Sequence, residues 1–142
     1  MFERIAIRAH RTPNRAVESI DGRTSIAPTA RVAAGAVVQD QAIIGGRSVA
    51  LGAVTVADRA QLVEHAMLGG TARLQGRAVL SGWAAAIEEA VIDGDAWVFG
   101  RAVVSGRASV AGHAQVFGDA TVTDGAVVDG HAWIHGHATV TG

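Results

Sequence analysis

A chain of 142 residues with one repeat running through most of its length forms one domain. It has no Cys, which excludes a disulfide framework, a thiol nucleophile and a thiolate zinc site. A formal net charge of −1 gives no general attraction to nucleic acid or to anionic membranes, and although 49% of the residues are apolar, none of the runs approaches the ~20 residues of a membrane span.

Residues 1–23 stand outside the repeat. Phe2, Ile5 and Ile7 alternate as in an edge strand, and Arg11-Thr-Pro-Asn-Arg15 reads as a turn. The segment is expected to cover the first coil of the repeat region, or else to act as a partner-binding arm, because Arg4, Arg8, Arg11, Arg15 and Arg23 outnumber Glu3, Glu18 and Asp21. Its first residues carry charges where a secretory leader has an apolar core, so no signal peptide is expected there. The expected setting is the cytoplasm or a larger particle.

From Thr24 to Gly142 a six-residue beat runs without insertion or deletion: small residue, x, aliphatic, x, Gly or acid, x. The small position is Ala throughout except at Thr24, Ser48 and Val54. Two residues on, the series Ile26, Val32, Val38, Ile44 and onward to Val140 is aliphatic, broken only by Ala50 and Ala86. Residues i and i+2 of an extended segment share a face, so each hexad is a short strand with two inward side chains, followed by a turn. The spacing does not match the i, i+3, i+4, i+7 template of an amphipathic helix, and a Gly in most hexads would cost a helix about 1 kcal/mol each. Three hexads close one coil, and coils stack through parallel strand pairing. The expected fold is all-β: a single-stranded parallel β-helix, triangular, with 18 residues per coil and six to seven coils over residues 24–142. The last strand, Ala138-Thr-Val-Thr-Gly142, is still in register, so its edge is expected to be covered by another subunit, by a partner or by further residues of the protein.

Runs such as Ala108-Ser-Val-Ala-Gly-His113 and Ala114-Gln-Val-Phe-Gly-Asp119 resemble the hexapeptide-repeat superfamily of left-handed parallel β-helices, over about five-sixths of the chain. They match at the aliphatic and small positions, while the Gly falls two residues after the aliphatic residue and not one. That offset resembles the Val-x-Gly-x-Ala repeat type and, more faintly, the bactofilins, whose helices are right-handed. The stronger resemblance implies a left-handed helix and parallel homotrimers.

Because the beat fixes facing, outward residues sort into three faces, each recurring every 18 residues. One carries Ile43/Gly45, Gln61/Val63, Val79/Ser81, Trp97/Phe99, Gln115/Phe117 and Trp133/His135, and so holds four of the six aromatic residues of the chain. Contiguous aromatic surface marks an interface. The expected contact set is therefore Ile43, Val79, Trp97, Phe99, Phe117, Trp133 and His135, and the expected partner is another copy of the chain, with a trimer favoured. A second face is apolar early and ends in Thr121, Thr123, Thr139 and Thr141; the third, from Val37/Gln39 to Val127/Asp129, is mixed.

Corner residues precede each Ala. In one corner column Asp95, His113 and His131 follow one another coil by coil and are the candidate metal ligands, though solvated corners carry polar residues anyway and no metal or other cofactor is required by the pattern. Arg77–Asp95 and Arg101–Asp119 are expected ion pairs. The resemblance also admits an acyltransferase-like enzyme with a site between subunits, for which His65 beside Glu64 is the nearest candidate base. A repeat without a loop insertion leaves little room for such a site, so no catalytic residue is assigned. A glycan-binding platform on Trp97 and Trp133 is a further alternative. The favoured function is a non-catalytic assembly module that self-associates through the aromatic face, the open end of the helix or both: a spike, a polymer subunit or a decoration on a particle.

Overall fold

The computed structural model of the chain describes residues 24–142 and the backbone of Ile7–Arg8. Every hexad forms one strand of two or three residues, with the first residue outward and the second, the aliphatic one, inward. The strands assemble into three seven-stranded sheets, and within residues 24–142 every pairing is parallel between residues 18 apart, as in Val79↔Trp97 and Leu80↔Val98. The chain is thus an all-β parallel solenoid of about six turns, and none of its described segments is helical. With neighbouring strands ~4.8 Å apart, seven strands give a rod roughly 30 Å long.

Chemistry at three positions of the hexad produces this coil. The inward Ala and aliphatic residues are buried from Ala30 to Val128, forming one continuous core along the axis. Ala at one inward position leaves the space that Leu62, Leu68, Leu74, Leu80 and Ile92 fill at the other. Ser48, the buried serine of the small column, donates its hydroxyl to the Gly45 carbonyl at 2.8 Å, so its burial leaves no orphaned polar group. The backbone ladder then repeats from coil to coil, as in Ser81 N–H to Val98 C=O at 2.9 Å and Trp83 N–H to Gly100 C=O at 2.7 Å.

The Gly-or-acid position is where the chain turns. It has φ between about +60° and +80° at each of Asp40, Asp58, Glu64, Glu88 and Asp124 and at twelve glycines. Glycine is suited to this region, and a Cβ on Gly100 would also stand 2.8 Å from the Gly118 nitrogen one coil on. The acids occur there for a separate reason. Glu64 accepts the Gly82 N–H at 2.6 Å, Glu88 accepts the Gly106 N–H at 2.6 Å, and Asp58 accepts the Gly76 N–H at 3.0 Å. Each of these three carboxylates bonds the turn amide of the following coil, offsetting the cost of about 1–2 kcal/mol for a left-handed residue that is not glycine.

At one end, Ile7–Arg8 pairs antiparallel with Val37–Val38, the only antiparallel strand pair among the described residues. The rest of the expected N-terminal cover, with Phe2, Ile5 and the turn at Arg11–Arg15, lies outside the described residues. In the last coil Ala138 is exposed and Val140 half-buried, whereas Ala120 and Val122 one coil below are fully buried. No helix among the described residues is long and apolar enough to cross a membrane.

Candidate functional site

The aromatic residues sit on the sheet running Ser25, Ile43, Gln61, Val79, Trp97, Gln115, Trp133. Parallel pairing at a fixed shift of 18 sets residues of like position one above another, so aromatic residues at the same place in successive coils are brought together. Phe99 lies on Phe117 with ring centroids 4.9 Å apart and planes within 6°, and Phe117 in turn lies on His135 at 5.2 Å. Trp97 packs beside Phe99 at 4.5 Å, and Trp133 meets Phe117 edge-on at 6.2 Å. Five rings thus form one unbroken chain of contacts over three coils.

This cluster is not sealed. Trp97 is 44% exposed and Trp133 64% exposed, while Phe99 and Phe117 are half-buried under their neighbours. The indole N–H of Trp97 donates to the Ser81 hydroxyl at 3.2 Å, which ties the ring to the coil below. Val79 lies directly beside Trp97 in register, and Ile43, itself exposed, lies two coils further along with Gln61 between them. The expected contact residues therefore occupy one face, but only Trp97, Phe99, Phe117, Trp133 and His135 form a continuous ring surface. Exposed apolar residues on the other faces, Leu51, Met67 and Val127, have no such ring neighbours.

The corners hold two further stacks. His113 lies face to face with His131 at 5.0 Å and 5°, and Asp95 approaches His113 Nδ1 at 3.5 Å. Asp95 is also held by Arg77, through Nε at 2.8 Å and a second guanidinium nitrogen at 3.1 Å. Stacked imidazoles direct their nitrogen lone pairs in parallel planes and not toward a common point, so His113, His131 and Asp95 are arranged as a stack with an ion pair at its foot. Among the described residues no group of three or more His, Cys, Asp or Glu is placed to hold a metal ion. The expected Arg77–Asp95 pair forms, whereas Asp119 pairs with His137 at 3.8 Å in place of Arg101.

Glu64 and His65, the candidate acid–base neighbours, are engaged separately. Glu64 bonds the Gly82 amide, and the His65 ring stacks on Trp83 at 4.1 Å with planes 2° apart. Trp83, 66% exposed, stands at a corner beside the aromatic face; its stack on His65 follows from both residues sharing one column 18 apart, a signal carried by the same spacing that places the charge pairs. Compared with known proteins, the chain matches no family model, and no curated protein matches it.

Proposed function

We propose that the chain is a non-catalytic structural rod that self-associates through its aromatic face. The observation that supports this is the unbroken chain of rings from Trp97 to Trp133 on a face that remains open to water. A sheet face open to water normally carries polar residues, and an aromatic side chain buries ~150–250 Å² when fully covered. Most of the area still open belongs to Trp97 and Trp133, since Phe99 and Phe117 are already half-buried, so the rings form the centre of an interface that the rest of the face extends toward the ~1,200–2,000 Å² of a specific one.

The finer picture follows the resemblance: a left-handed helix of the hexapeptide-repeat kind, closing into a small homo-oligomer or extending as part of a spike, polymer or particle coat. The mechanism is shape and burial. Light scattering on the full chain tests it. The native chain is expected to exceed monomer mass and the double variant Trp97→Ala, Trp133→Ala to fall back to it. A native chain that is monomeric at every concentration, or a double variant of unchanged mass, overturns the proposal.

A further inference from the structure

The arrangement of the second copy can be read from the two corners that flank the aromatic face, an inference that rests on the proposed self-association. One corner carries Arg59, Arg77, Asp95, His113 and His131; the other carries His65, Trp83, Arg101, Asp119 and His137. Within the coils of Trp97 and Gln115 the two corners are complementary, whereas Arg59 shares a coil with His65 and His131 with His137. Asp95 and Arg101 bracket the coil of Trp97 and Phe99, His113 and Asp119 bracket that of Gln115 and Phe117, and Arg77 is bracketed with Trp83.

Consider two rods laid face to face and parallel, related by a twofold axis along their length. Every coil then meets the same coil of the other copy, and each corner meets the opposite corner. Asp95 meets Arg101 of the second copy, His113 meets its Asp119, Arg77 meets its Trp83 ring, and Trp97 meets its Phe99. The Asp95 carboxylate has capacity for this: it is held by Arg77 and His113 within its own chain, keeps 30% of its side chain exposed, and a carboxylate offers about four lone-pair sites.

Antiparallel packing does less. Centred on the Gln115 coil it sets Asp119 against Asp119, a like-charge contact of the kind that suppresses wrong partners. Centred midway between the Trp97 and Gln115 coils it avoids that clash and opposes Asp95 to His113 and Arg101 to Asp119, but it overlaps only the coils from Val79 to Trp133, sets Trp97 against Gln115 and leaves exposed Ile43 uncovered, whereas the parallel arrangement covers the whole face. We infer that the aromatic face docks a second copy of this chain, parallel and in register, about a twofold axis along the rod.

Because the chain contains no Cys, single-cysteine variants report this directly. Full-length Asp95→Cys, Arg101→Cys and Asp119→Cys chains are mixed in pairs and treated with a bismaleimide spanning ~10 Å, the spacing of packed sheet faces. The Asp95→Cys with Arg101→Cys mixture is expected to give a covalent pair at least tenfold above either chain alone. A His113→Cys with Asp119→Cys mixture should do the same, which guards against loss of docking through Asp95. Products from Asp119→Cys alone, or from Arg101→Cys with Asp119→Cys, mean antiparallel docking and overturn the inference. An assembled mass of three chains overturns it too, as does a two-chain mass without either expected product. These outcomes leave self-association standing, whereas a monomer at every concentration removes the aromatic interface itself.

Discussion

The aromatic and mixed faces share a backbone and an interior, and differ only in what points outward. On the mixed face Val37, Thr55, Arg73, Val91, Ser109 and Val127 lie in register above buried Ala–aliphatic pairs such as Ala72 and Leu74. On the aromatic face Ile43, Gln61, Val79, Trp97, Gln115 and Trp133 lie above equivalent pairs such as Ala78 and Leu80. The mixed face shows that this solenoid needs no aromatic residue on its surface to close and stack. The backbone pattern does not call for the rings of Trp97, Phe99, Phe117 and Trp133, and their exposed apolar surface is what the proposed self-association would use.

If that division between interior and surface holds, changes to the core should not distinguish the faces. Leu74→Ala and Leu80→Ala, both fully buried, are each expected to lower stability by about 2–5 kcal/mol in chemical denaturation. A clear difference between the two would show that the faces are not built on equivalent interiors. Surface changes should separate them. Trp97→Ala is expected to weaken association by about 2 kcal/mol or more in a concentration series, with little loss of monomer stability.

The turns give a smaller and more local effect. Glu88→Ala removes the carboxylate that bonds the Gly106 amide while keeping a Cβ at φ +63°, and is expected to cost about 1–2 kcal/mol. Glu88→Gly loses the same bond but relieves the left-handed strain, and is expected to recover most of that loss in the melting temperature. Equal destabilisation by Ala and Gly would mean that the hydrogen bond alone sets the cost. Least of all, Val127→Arg on the mixed face is expected to change stability by less than about 0.5 kcal/mol and to leave the assembled mass unchanged. A fall in mass there would place the interface on the wrong face.

Much of this was legible from residue order. Residues spaced by two share a face and residues spaced by 18 share a column, so a beat kept without insertion determines strand positions, inward residues and the membership of each face. The acids of the turn column were legible as a class alternating with Gly, but not their function, because the amides they accept from lie one coil away and only stacking brings Glu64 to Gly82 or Glu88 to Gly106.

The corners show the same boundary. Sequence alone assigned Asp95, His113 and His131 to one column and His65 and Trp83 to another. Rotamers under tertiary packing decided that the two histidines stack, that Asp95 binds Arg77, and that Asp119 takes His137 in place of Arg101. Periodicity determined which side chains are neighbours, because a rigid repeat makes position a function of number. How those neighbours meet was left to the tertiary structure, because side-chain torsions respond to contacts one coil above and below, which do not appear in the order of residues.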